Sequence, residues 1–329
     1  MSLLVGLTPV ILFLLALILM DSYKLVSRRA VLMAIAAGVG SACVVYVINR
    51  FLLQVGMDET VLRRAIGPIL EETVKALYVV FLIQAARVGF LVDSAILGFA
   101  VGTGFAIVEN YYYAQYVPDA GLGTWIIRGL GTAVMHGSTT AVVAILSKSL
   151  TDRRGSTGLE LFLPGILLST VAHAAFNQFI LSPIFSTMAM LIAMPLFVGF
   201  IFERSDRATR DWLHVGLDTE VEMLQAIETG AVEESPVGRY LKSLHRLPGP
   251  MVADMLCLVR IRLELSLRAK GVLIARAAGV DLPPDEEVRA NFEEMRFLER
   301  SIGRTGKVAI QPFLRTSSRD LWQLCVLGK

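Results

Sequence analysis

The sequence predicts an all-α polytopic membrane protein: a helical bundle of about seven spans, followed by a C-terminal helical cytoplasmic domain. Three observations predict it. The chain has 329 residues, of which 54% are hydrophobic and 18% charged, whereas soluble domains carry about 25% charged residues. Its mean hydropathy is +0.61. The apolar residues are also gathered into long runs over residues 1–202, and from Glu203 onward the pattern turns charged and amphipathic.

Seven runs of roughly 18–25 residues are each long enough to cross about 30 Å of hydrocarbon. They cover 3–20, 30–54, 66–86, 91–114, 127–148, 160–181 and 184–202. The first begins MSLLVGLTPV, without a basic lead-in or a small-residue cleavage site, and so reads as an uncleaved span. The third holds Glu71, Glu72 and Lys75. The fourth carries Gly98, Gly102 and Gly104, a surface of small residues that lets helices approach closely. It ends at Tyr111, Tyr112 and Tyr113, where amphipathic rings settle at a membrane interface. The fifth contains His136, and the sixth contains His173 and Asn177.

Charge divides the chain at the same place. Residues 203–329 hold 19 of the 31 Lys+Arg and 19 of the 29 Asp+Glu. This balance argues against nucleic acid as a partner, since that needs a basic excess. Across alternate loops, ten Lys or Arg fall on one side and four, Arg50, Arg63, Arg64 and Arg128, on the other. Basic loops stay cytoplasmic, so the N-terminus is expected outside, the C-terminus in the cytoplasm, and the host membrane to be a plasma or inner membrane. The three cysteines, Cys43, Cys257 and Cys325, are too few and too scattered for a disulfide frame or a CxxC knuckle.

With that topology the polar residues of the spans share the outer half of the bilayer. Glu71 and Glu72 lie one to two turns into an inward-running helix, and Glu109 about one turn from the end of an outward-running one. His136 sits about 13 Å into the next helix at 1.5 Å per residue, and His173 and Asn177 lie in the last turns of the sixth. Charges at this depth cost at least ~2.5–3.5 kcal/mol each. Any one of them has a plain structural reading. His136 alone is more often a packed histidine, Glu71 with Lys75 could be a buried ion pair, and the tyrosines and glycines serve anchoring and packing. Three carboxylates and two imidazoles at one depth on four spans point instead to a functional site.

Two chemistries fit. One carboxylate could activate a water, with His173 and Asn177 donating to a developing oxyanion. Alternatively Glu109, His136 and His173 could hold zinc with a position left open for water. No HExxH signature is present. Buried Glu and His would also serve a proton- or ion-coupled transporter, although no internal repeat is visible. A non-catalytic membrane scaffold is a third reading.

The motifs then resemble a known family. EETVK at 71–75 is similar to the EExxK motif of PrsW-type intramembrane proteases, FAIVE at 105–109 to FxxxE, and HAAFN at 173–177 to the HxxxN/D-type motif. The order on successive spans agrees, and the resemblance covers roughly residues 60–205. The wider group includes the CAAX prenyl endopeptidases, from which Lys75 and Glu109 separate this chain, and the non-proteolytic Aph-type scaffold of gamma-secretase. The resemblance implies an endopeptidase acting on membrane-anchored proteins, with Glu71 and Glu72 as catalytic carboxylates and Glu109 and His173 as their partners. His136, Asn177 and Lys75 complete the candidate set. On this reading residues 1–202 are the transmembrane protease domain, no cofactor is required, and zinc is the alternative.

Residues 203–329 read as a cytoplasmic helical domain with helices near 205–229, 236–246, 251–277 and 285–302, broken at Gly230, 247–250, Gly279, Pro283-Pro284 and Gly303. Leu256, Val259, Leu263 and Leu267 make its clearest apolar stripe. His214 and His245 read as solvated. No catalytic or nucleotide motif appears, and the domain is expected to bind a cytoplasmic regulator or serve as a structural tail.

Overall fold

A computed structural model describes residues 2–117, 119–178, 182–280, 282–283, 285–314, 322–324 and 327, except for the side chains of 2 and 214–216. The expectations for His214 and Cys325, and for the end of the sixth span at 179–181, lie outside these residues. Among the described residues the regular structure is helical throughout, without a strand. The chain forms two compact units, Met1–Asp206 and Arg207–Lys329.

The first unit is a membrane bundle. Its helices are α1 (Ser2–Leu19), α2 (Arg28–Gln54), α3 (Gly67–Gln84), α4 (Leu91–Tyr116), α5 (Val134–Arg154), α6 (Leu163–Asn177) and the start of α7 (Pro183–Glu228). Five helical runs are long and apolar enough to cross a membrane: α2, α4, α5 with its lead-in from Leu122, α6 with its lead-in from Leu159, and α7. Of the other two expected spans, α1 is a shorter apolar helix, and α3 carries the three charges of EETVK.

Local chemistry sets the helix ends. Ser27 caps α2 by accepting from Ala30 N at 3.2 Å. Asp93 accepts from the backbone N–H of Gly89, Phe90 and Ser94 at the start of α4, satisfying donors that a helix start leaves free. Gly155 ends α5 with φ +59°, a conformation that costs glycine little. In the turn after α1, burial raises the Asp21 carboxyl from 3.8 to about 6, against the pull of backbone hydrogen bonds from Val26, Leu25 and Tyr23.

α4 is the central post, with 83% of its apolar window buried. Ile96, Phe99, Ala100 and Val101 are fully buried and share one core cluster with Val10 of α1 and Ala34 of α2. Two of its glycines are required by close approach to α5. A Cβ on Gly102 would lie 2.1 Å from the His136 carbonyl oxygen, and one on Gly98 2.8 Å from that of Thr140. The two backbones therefore touch, and this brings residues late in α4 beside residues early in α5.

Several expectations need correcting. The seventh span and the first helix of the tail are one 46-residue helix, α7. Residues 203–211 change in polarity but contain no Gly or Pro, and polarity alone does not end a helix. The helical run expected at 127–148 extends from Leu122 to Arg154. Two π turns also appear, Leu62–Ile66 ahead of α3 and Arg128–Ala133 ahead of α5.

The second unit continues with α8 (Pro236–Ser243), α9 (Gly249–Ala277), α10 (Glu286–Ser301) and α11 (Gly303–Ile310). α11 went unforeseen because Gly303 reads as a stop. At φ +57° it ends α10, and the chain then starts another helix. The buried stripe of α9 runs through Leu258, Val259, Leu265 and Ala269, while Leu256 and Leu263 are only partly covered, so only Val259 of the expected stripe is in it and the others lie two residues on. Inside this unit Lys270 Nζ meets Glu220 Oε2 at 2.8 Å, and Ser266 Oγ donates to the same oxygen at 2.8 Å. A cavity of about 160 Å³ opens beside Glu220, Arg262, Ser266 and Gln323. His245 is exposed, as expected.

Candidate active site

α3, α4, α5 and α6 run alternately up and down, so the start of α3, the end of α4, the start of α5 and the end of α6 meet at one end of the bundle. The i, i+4 relation puts Glu71 and Lys75 on neighbouring positions of α3, and Phe105 and Glu109 on those of α4. Contact between the α4 and α5 backbones at Gly102 then closes the distance between Glu109 and His136.

Glu72 is the hub. Its Oε1 accepts from Lys75 Nζ at 2.8 Å and from Thr139 Oγ1 at 3.1 Å. The same oxygen lies 2.8 Å from His173 Nδ1. Its other oxygen is buried without a partner among the described residues. Lys75 Nζ also lies 3.3 Å from His136 Nδ1 and 5.0 Å from the centroid of Phe105. An ammonium has no lone pair, so at that contact His136 Nδ1 must accept. Its Nε2 then carries the proton and donates to Glu109 Oε2 at 2.8 Å. The two imidazoles meet edge to face, 4.9 Å between centroids. Glu72 and Lys75 are fully buried, and buried charges persist only when paired in this way.

Glu71 behaves differently. Its side chain remains 17% exposed, with Oε2 3.7 Å from His173 Nε2, while Glu72 beside it is fully covered. Glu71, His136 and His173 can each offer one ligand atom within 4.8 Å of the others. The expected metal trio had Glu109 in place of Glu71, but Glu109 is committed to the far nitrogen of His136.

Six of the seven predicted residues thus converge. Lys75, expected at the edge of the site, sits at its centre and is fully buried. Asn177 stands apart: its Nδ2 donates to the Arg63 carbonyl at 3.3 Å, and Gln178 makes the matching bond to Arg64 at 3.2 Å, both on the π turn before α3. Two contributors escaped sequence reasoning. Thr139 lies three residues after His136 on the same helix face, a spacing that could have flagged it. Arg128, counted only as a loop charge, places Nη2 3.3 Å from Glu109 Oε1.

Set against known proteins, residues 26–200 match a family model described as the PrsW family intramembrane metalloprotease. No curated protein and no solved structure matches the chain.

Proposed function

Because the chain belongs to the PrsW family of intramembrane metalloproteases, we propose that it cleaves peptide bonds of membrane-anchored proteins with Glu71 as general base. The observation that carries this is the contrast within the glutamate pair. Glu72 has its Oε1 filled by a lysine, a threonine and a histidine, whereas Glu71 keeps an open face beside His173. Glu72 and Lys75 then act as a fixed ion pair that orients His173.

The reaction needs one proton moved twice. Glu71 takes a proton from a water as the water oxygen attacks the peptide carbonyl carbon. At 3.7 Å, Glu71 and His173 Nε2 are close enough to share that proton through one water. The pair returns it to the departing amine as the C–N bond breaks, leaving a carboxylic acid and a free amine. Burial of the surrounding charges keeps their field strong at the reacting carbon.

A second reading rests on the donor set. One carboxylate and two imidazoles within 4.8 Å suit zinc by ligand type and number. Each imidazole also has a carboxylate on one nitrogen, Glu72 on His173 and Glu109 on His136, the usual outer support of a metal-binding histidine. The residues therefore fit a metal held by Glu71, His136 and His173. A bound metal would supply an acidified water and polarise the substrate carbonyl. To join such a set His136 must release a partner, since Lys75 and Glu109 already engage its two nitrogens. We favour the metal-free form for that reason.

The experiment compares membrane proteomes of cells carrying the native chain and Glu71→Gln, alongside metal analysis of purified protein. Substrates that persist only with Glu71→Gln support the protease reading; identical proteomes overturn it. One zinc per chain, with activity lost on chelation and regained on zinc addition, would shift the choice to the metal form.

For orientation, the excess of basic residues in one set of loops supports a cytoplasmic C-terminus and a site in the outer leaflet. A reporter fused after Lys329 that is active only outside would reverse both. We also take residues 1–202 and 203–329 as separate functional domains. A chain truncated near Arg210 should insert and stay monodisperse, and its failure to do so would refute the division.

A further inference from the structure

We infer that Arg128 is a positioning residue of this site, acting through Glu109 on the His136 ring; the inference rests on the protease reading above. Arg128 opens the π turn Arg128–Ala133 that leads into α5. Its guanidinium grips three residues in the last turns of α4. Nε donates to Asn110 Oδ1 at 2.9 Å. The plane of the group lies over Tyr113, with Cζ 4.0 Å from the ring centroid. Nη2 faces Glu109 Oε1 at 3.3 Å, an ion-pair contact rather than an aligned hydrogen bond.

The grip matters because of what Glu109 does next. Its side chain is 36% exposed, the most open carboxylate of the cluster, so burial does not hold it in place. Two contacts do: Arg128 on Oε1, and His136 Nε2 on Oε2 at 2.8 Å. With Glu109 fixed, the Nε2–H of His136 has an aligned acceptor and the ring is held with Nδ1 3.3 Å from Lys75 Nζ. Lys75 is the cation that holds Glu72, and Glu72 holds His173. Arg128 thus stands at the far end of an unbroken chain of contacts ending beside Glu71. A lysine could match its charge but not the simultaneous stacking, Nε bond and ion pair, which need a planar fork.

The first readout requires no substrate. The chain has four histidines, so ring-¹⁵N-labelled protein in nanodiscs, at one pH with chelator present, gives a spectrum assignable by Asn substitution at 136. The native protein should show His136 as the Nε2–H form. Arg128→Ala and Glu109→Gln should weaken the Nε2–H hydrogen bond and move the Nε2 resonance in the same direction, with Nδ1 still accepting from Lys75 and with Arg128→Lys close to Arg128→Ala. The second readout uses a substrate found by the Glu71→Gln comparison. Arg128→Ala should lower kcat about 10- to 100-fold, the scale of a misplaced catalytic geometry, with KM within about twofold. The double variant Arg128→Ala/Glu109→Gln should be no slower than Glu109→Gln alone.

An unchanged His136 spectrum in folded Arg128→Ala or Arg128→Lys overturns the inference, as do rate losses that multiply in the double variant. If Arg128→Ala fails to fold, Arg128→Lys carries the same test. If the native chain shows no Glu71-dependent cleavage, the protease reading fails while the ring spectrum still decides the role of Arg128.

Discussion

Each unit of this chain buries a lysine against a glutamate, and the two pairs have different surroundings. Lys75 meets Glu72 at 2.8 Å in the membrane unit, and Lys270 meets Glu220 at 2.8 Å in the C-terminal unit. Both lysines are fully buried, and each ammonium lies 5.0 Å from an aromatic centroid, Phe105 in one case and Trp212 in the other. They differ in what surrounds the carboxylate. Around Glu220 stand Ser266 and, through its hydroxyl, Gln323. Around Glu72 stand two imidazoles, directly and through Lys75, and a second carboxylate that is partly exposed. A buried ion pair is therefore weak evidence of function. The two imidazoles and the second carboxylate attached to it carry the signal.

The sharpest test of that contrast is Glu71→Gln. Removing a general base should lower proteolysis by about 10²–10⁴-fold with little change in thermal midpoint; equal activity would erase the distinction between the two glutamates. Next come the lysines. Lys75→Met and Lys270→Met each take the cation from a buried carboxylate, a loss of roughly 3–5 kcal/mol visible as a lowered midpoint. Only Lys75→Met should also abolish cleavage, with Lys270→Met keeping kcat within about threefold wherever the chain stays folded. If Lys270→Met is inactive while folded, the two pairs are not separable.

Glycines give a smaller contrast. Gly102→Ala sets a methyl 2.1 Å from the His136 carbonyl oxygen and should cost about 1–3 kcal/mol of strain. Gly271, inside α9, has open space where a Cβ would sit, with no atom within 4 Å. Gly271→Ala should therefore gain about 0.5–1 kcal/mol from helix propensity. Chemical denaturation of the two variants should move in opposite directions.

The smallest effect is one of pH, and its sign differs between the units. Asp21 titrates higher in the folded chain, about 6 against 3.8. The fold holds that proton more tightly, and stability near α1 falls as pH rises from 3.8 to 6. Glu299 goes the other way. Burial pushes it up, but hydrogen bonds from Arg262 and Lys307, with their charges, outweigh burial and hold it below 4.5. Its contribution is present above 4.5 and is lost as pH falls through the lower folded value. Hydrogen exchange between about pH 7 and pH 4 should show protection rising near Asp21 and falling near Glu299. Asp21→Asn and Glu299→Gln should each flatten one of those trends.

Much of this was readable in the sequence because it depends on short-range spacing. Runs of apolar residues marked the membrane helices, and charges inside them marked Glu71, Glu72, Glu109, His136 and His173. What could not be read depends on which face a helix presents. Lys75 looked peripheral because a lysine tends to extend toward water; here Glu72, His136 and Phe105 enclose it. Asn177 shares a helix face with His173 by spacing, yet α6 ends there and its side chain turns to the π turn before α3. The metal trio shifted from Glu109 to Glu71 because sequence supplies depth but not which nitrogen of His136 is taken. α7 ran on through residues 203–211 because nothing in them breaks a helix.

The π turn ahead of α5 has a consequence of phase. His136 comes eight residues after Arg128. In an uninterrupted α-helix, at about 100° per residue, eight steps leave two side chains about 80° apart. A π turn absorbs one residue without advancing the helix, so the effective count is seven and the offset shrinks to about 20°. The surplus residue is what turns Arg128 onto the side of the helix that His136 occupies. A regular helical wheel would set Arg128 about 80° from His136 and so understate how closely the two align. Deleting one residue between 128 and 133 would give a regular helix of seven steps and leave the offset near 20°, whereas eight residues in regular α-helix would carry the guanidinium to about 80° from His136.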